Sequence, residues 1–118
     1  MRPGAYNRAD MSSVGEPVLD EIVRRLKTAL NPEQIFLFGS RARGEAGPES
    51  DFDLLVVVAT SALPRYRRDQ LAFRALRGVG VSKDVLVYTR DEFARGAKVP
   101  ASLPATVLRE GKLLHDVA

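Results

Sequence analysis

The stretch that decides the fold is QIFLFGSRARGEAGPESDFDLLVVV, running from Gln34 to Val58. It opens with Ile35-Phe36-Leu37-Phe38, a β-branched and aromatic run that predicts a buried strand over Gln34 to Phe38, ended by Gly39. Ser40 to Gly44 reads as a short helical turn, and Glu45 to Ser50, with Gly47 and Pro48, as a surface loop. Asp51 to Ala59 follows as a second strand. Its Leu54-Leu55-Val56-Val57-Val58 core is apolar on both faces, which places it centrally in a sheet.

Upstream, Val18, Leu19, Ile22, Val23, Leu26 and Leu30 fall at helical spacing, with Pro17 suited to the first helical position. That helix stops at Asn31, because Pro32 disfavours helical dihedrals in the residue before it. Residues 1–13 carry Pro3, Gly4 and two serines with little apolar periodicity and are expected to be a flexible lead-in to a single domain over 14–118. Downstream, Pro64 to Arg77 predicts a second helix with Leu71, Ala72, Ala75 and Leu76 inward and Arg67, Gln70, Arg74 and Arg77 outward. Val81 to Tyr88 predicts a third strand, Asp91 to about Arg95 a helix, Ala105 to Glu110 a last helical turn, and Lys112 to His115 a short strand. Helices interleaved with strands give an α/β (α+β) sandwich around a small mixed sheet with flanking helices.

Composition narrows the chemistry. The 118 residues include no cysteine and one histidine, His115, which excludes thiolate nucleophiles and Cys-based zinc sites and argues against a zinc hydrolase or a Ser-His triad. The longest apolar stretch, around Leu54 to Ala59, is far below the roughly 18–20 residues that span a bilayer, so a soluble, cytoplasmic protein with no membrane association is expected. What remains is carboxylates, hydroxyls and cations, a set suited to Mg²⁺ and phosphates. The net charge of +3 is uneven, at −2 over residues 1–59 and +5 over 60–118.

Asp51 and Asp53 are two residues apart at the mouth of a strand, so the period of two puts both side chains on one face with Cα atoms roughly 6–7 Å apart. Two like charges held so close repel, and protonation or a shared cation relieves them. Asp84 supplies a third acid from an independent strand and completes the cluster if that strand lies beside the second. Three carboxylates can hold two Mg²⁺ about 3.5–4 Å apart, the hardware of phosphoryl or nucleotidyl transfer. Gly39 lets a triphosphate approach the backbone, Ser40 offers a hydroxyl at the turn, and Arg41 and Arg43 add cationic reach. There is neither a P-loop nor a dinucleotide fingerprint.

Gly39-Ser40, ten residues, Asp51-x-Asp53 and a downstream strand acid, Asp84, resemble the signature of the DNA polymerase β-type nucleotidyltransferase superfamily. The chain from about Pro17 to Leu114 is similar to the minimal nucleotidyltransferase (MNT) branch of that superfamily. The resemblance implies a nucleotidyltransferase fold in which Gly39 and Ser40 hold nucleotide phosphates while Asp51, Asp53 and Asp84 bind two Mg²⁺. It implies attack by an acceptor hydroxyl on the α-phosphorus of a nucleoside triphosphate, ATP being expected, with loss of pyrophosphate. Minimal members are often encoded beside a small helical HEPN protein, and some are antitoxins that transfer AMP to a tyrosine of that partner. Larger relatives carry an additional domain for the acceptor, so an acceptor arriving as another protein is expected here, in a homo- or hetero-oligomer.

Other readings stay open at this stage. Asp51 and Asp53 can be solvated acids of a loop, Asp84 can pair with Lys83 or an arginine, and Arg41 and Arg43 can serve solubility. The chain can also be a non-catalytic antitoxin that covers its HEPN partner, in which case inhibition survives loss of the acids. A nucleic-acid binder using the basic C-terminal half would show steeply salt-dependent affinity, but few aromatics interleave with those arginines.

Overall fold

A computed structural model describes residues 16–118; the lead-in expected over 1–13 lies outside them. The first helix, α1 (Glu16–Leu30), buries Leu19, Ile22 and Leu26 along one stripe, as the spacing requires. Its last turn closes with the Asn31 N–H donating to the Lys27 carbonyl, and Asn31 takes φ 48°, a left-handed conformation that asparagine tolerates just before Pro32 stops the helix.

The strands are β1 (Gln34–Phe38), β2 (Phe52–Val58), β3 (Lys83–Thr89) and β4 (Lys112–Asp116), ordered β3-β2-β1-β4. β2 runs antiparallel to β1 and parallel to β3, and β4 runs antiparallel to β1, so the sheet is mixed. From Leu54 to Val58 β2 is buried on both faces, as its unbroken apolar run requires. On one face Leu54 and Val56 join Leu19, Ile22, Leu26, Ala72 and Leu76 of the α1 and α2 layer. On the other, Phe36, Leu55 and Val57 pack against Phe93 and Val107 of α3 (Arg90–Ala97) and α4 (Leu103–Glu110). Phe36 and Phe93 stack with centroids 5.6 Å apart, and Tyr88 meets Phe93 edge-on.

Helix α2 (Arg65–Ala75) departs from its expected orientation. Leu71 is 42% exposed, whereas Arg68 is buried on the inward stripe with Ala72. The reason lies in β3, which is an edge strand whose outer backbone groups need partners. The Arg68 guanidinium donates to the Val87 carbonyl at 3.0 Å and to both oxygens of Glu92, while Asp69 accepts from the Val87 N–H at 2.8 Å. These polar anchors set the helix rotation, and hydrophobic spacing does not register them. Arg68 and Thr89 hold the Glu92 carboxyl down at about 2, and Glu92 with Thr89 forms the capping box that starts α3.

Candidate active site

Strand β1 ends at Phe38, opposite Asp53 in the antiparallel register, and Gly39 begins the turn that follows. Gly39 has φ +75°, and a Cβ built on it would lie 2.3 Å from Asp53 Oδ2. Only glycine lets the backbone rest against that carboxylate. The Gly39 carbonyl accepts from the Ala42 and Arg43 N–H groups at 3.1 and 3.2 Å, and Ser40 accepts from Glu45, which makes Ser40–Gly44 a single turn as expected. Ala42 is buried beneath it against the α1 face, so the turn is fixed from below. The Ser40 and Arg41 N–H groups at the head of this turn donate to no backbone carbonyl among the described residues.

The parallel register of β2 and β3 sets Asp53 directly across from Asp84, and strand pleating puts both on the α3 and α4 side of the sheet at its open end. Asp51 precedes β2 and is tied to the segment just ahead of β3 by the Ser82 hydroxyl, which donates to Asp51 Oδ1, while the Phe52 N–H donates to the Ser82 carbonyl at 2.9 Å. The structure therefore brings Gly39, Ser40, Asp51, Asp53 and Asp84 to one end of the sheet. Burial first, then the charges of Asp51 and Asp84, push the Asp53 carboxyl above its ordinary range, and Arg43 pulls the other way.

The two arginines differ. Arg43 is exposed, pairs with Glu45 at 2.9 Å and approaches Glu110 at 3.8 Å; these acids, with Asp53 adding to the field, raise its pKa. Arg41 is not brought into the acidic cluster. Its guanidinium donates to the Ser50 carbonyl from Nε (3.0 Å) and Nη2 (2.8 Å), reaches the Pro48 carbonyl at 3.4 Å, and lies 3.9 Å from the Phe52 ring centroid. It clamps the 45–50 loop just ahead of Asp51. Sequence reasoning missed this clamp because main-chain acceptors leave no residue-type signature, and missed the Ser82 anchor because its partner Asp51 is 31 residues away and is brought near only by the pairing of β2 with β3.

The donor types fit a hard divalent cation: Asp53 and Asp84 stand on adjacent strands with Asp51 just ahead of β2, and burial, then the charges of the other two, disfavours Asp53 as an anion. As the side chains stand, no group of three His, Cys, Asp or Glu among the described residues is gathered tightly enough to hold an ion. The backbone register places Asp53 and Asp84 directly across from each other on adjacent strands, spaced roughly 4.8 Å. Among the described residues no helix is long and apolar enough to cross a membrane.

The comparisons bear on the fold and the family. No curated protein sequence matches the chain. Several solved structures share the fold. One, a toxin–antitoxin complex with AMP-PNP, aligns at TM-score 0.63 and 24% identity over 83% of this chain and 73% of that one. Another, a putative nucleotidyltransferase from Sulfolobus solfataricus, aligns at TM-score 0.52 and 23% identity over 87% and 90%. A third, a tri-AMPylated HEPN toxin from Shewanella oneidensis in complex with MNT antitoxin, aligns at TM-score 0.55 and 20% identity over 86% and 72%. A family model described as the nucleotidyltransferase domain matches residues 19–114, from within α1 to within β4 and including all five residues at the open end of the sheet, and the chain belongs to that family.

Proposed function

We propose that this chain transfers AMP from ATP to a hydroxyl, a tyrosine of a HEPN-type partner protein, and so serves as the antitoxin of a toxin–antitoxin pair. The observation that carries the reading is the contact of the Gly39 backbone with the Asp53 carboxylate, with Asp84 across from it in register. A triphosphate lying over Gly39 and Ser40 meets bare backbone and a hydroxyl beside Asp53. The partner is suggested by the similar structures, one a toxin–antitoxin complex with AMP-PNP and one an AMPylated HEPN toxin with its antitoxin.

In this reading Asp51, Asp53 and Asp84 hold Mg²⁺, which when bound makes a hydroxyl more acidic and neutralises phosphate charge. Ser40 and the N–H groups at the head of its turn anchor the β and γ phosphates, and Arg43 adds positive charge beside them. Asp84, the exposed acid on the edge strand, receives the acceptor hydroxyl and takes its proton. The hydroxyl oxygen bonds to the α-phosphorus as the bond to pyrophosphate breaks. Asp51 keeps its place through Ser82 and through the Arg41 clamp on the preceding loop.

The test sets the wild type against Asp51→Asn, each co-expressed with the HEPN-type partner. Chemistry predicts that only the wild type silences the partner and leaves it AMP-modified. Silencing by Asp51→Asn, with an unmodified partner, would assign inhibition to surface covering and overturn the reading.

A further inference from the structure

A groove of about 450 Å³ runs between α2 and the outer edge of β3 and ends at Asp84. Phe73, Arg74 and Arg77 wall it on the helix side, and Val85 and Leu86 line it on the strand side. Phe73 is 54% exposed, with Lys83 Nζ 5.2 Å from its ring centroid. Among the described residues neither Arg74 nor Arg77 has a side-chain ion pair, whereas Arg68 on the same helix is fully engaged. The acids that face the groove are Asp69, whose Oδ1 accepts from the Val87 N–H, and Asp84 itself. The fold thus leaves two uncommitted guanidinium groups and an exposed aromatic ring along a channel that leads to one acid of the active site.

We propose that this groove docks the acceptor, as an acidic protein segment whose carboxylates pair with Arg74 and Arg77 and whose hydroxyl residue is delivered to Asp84. The inference rests on the reading above for the role of Asp84 and adds the surface and the chemistry of its occupant. Guanidinium groups take carboxylates bidentately, and Phe73 and Leu86 give the intervening side chains apolar contact. A protein segment can carry its acids at Arg74 and Arg77 and a neutral hydroxyl residue beside Asp84. A nucleic acid carries a charge at every nucleotide, including those passing Asp69 and Asp84, and would find a single ring, Phe73, on which to stack.

Random poly(Glu,Tyr) serves as the probe, with poly(Lys,Tyr) and poly(U) as counter-probes. Binding is read by fluorescence anisotropy, and label transfer from α-labelled ATP is read in parallel. The wild type should bind poly(Glu,Tyr) in preference to both counter-probes. The exposed double variant Arg74→Glu/Arg77→Glu should bind it at least tenfold more weakly and raise KM for it, with kcat and ATP-analogue binding unchanged. Equal binding by wild type and variant, no binding by the wild type, or preference for poly(U) would each overturn the proposal. Charge-dependent binding without label transfer to any acceptor would keep the docking surface and overturn the transfer reading, so the two failures are distinguishable.

Discussion

Replacing Gly39 by alanine separates two effects that the structure superimposes at one position. The first is backbone conformation: at φ +75° an L side chain costs about 1–2 kcal/mol, or a fall in Tm of about 4–8 °C for each kcal/mol in a domain of this size. The second is collision, since the new Cβ would sit 2.3 Å from Asp53 Oδ2. Ordinary contact is restored when the carboxylate retreats by roughly 1 Å, and a displacement of that size in a reacting constellation lowers rate by about 100-fold. Gly44 provides the control, because it has the same φ of +75° and nothing within 4 Å of a built Cβ. Gly39→Ala and Gly44→Ala should therefore lose similar stability by thermal denaturation, while Gly39→Ala alone loses about two orders of magnitude in transfer from α-labelled ATP. Equal activity in the two variants would refute the claim that Gly39 is there for Asp53.

Further outcomes follow from the same geometry. Burial and two like charges raise the Asp53 pKa, so its anion opposes folding at neutral pH; Asp53→Asn should raise Tm at pH 7, an advantage that disappears as pH falls and Asp53 takes up its proton, and should abolish transfer. The Glu92 carboxyl has the opposite sign: lowered from 4.5 to about 2, it contributes stability that is full above about pH 4.5 and is lost as pH falls toward 2. Glu92→Gln, which leaves the buried Arg68 without its anion, should cost about 3 kcal/mol at neutral pH by urea denaturation, with the gap to wild type closing over that acid range. Arg41→Ala removes the clamp on the Pro48 and Ser50 carbonyls and the contact with Phe52; it should cost about 1–2 kcal/mol and reduce kcat roughly tenfold through the loosened Asp51 loop.

Much of this was legible in the chain itself. The β1 boundaries, the doubly buried β2 and the placement of Asp51 and Asp53 at one strand mouth follow from strand period and composition, which report burial directly, whereas Asp84 joins them only because β3 lies beside β2, a strand order that no period encodes. The start of β3 reads two residues early because Val81 is apolar, yet it packs against the core from the loop ahead of Lys83. The inward face of α2 was misassigned at Leu71 because an arginine, Arg68, takes the buried place to satisfy an edge-strand carbonyl and Glu92. Arg41 shows the same limit: its partners are main-chain oxygens, so its side chain reads as cationic reach toward phosphate when its contacts hold a loop. Interactions between unlike side chains and the backbone depend on tertiary placement, and no period in the sequence encodes them.

The most direct measurement incubates the chain with α-labelled ATP, Mg²⁺ and its HEPN-type partner, and compares wild type with Asp53→Asn and Asp84→Asn. The account predicts label on the partner with wild type alone, lost on chelation of the metal, with both variants folded. A labelled partner with either variant, or none with wild type and a partner shown to be unmodified beforehand, would contradict it.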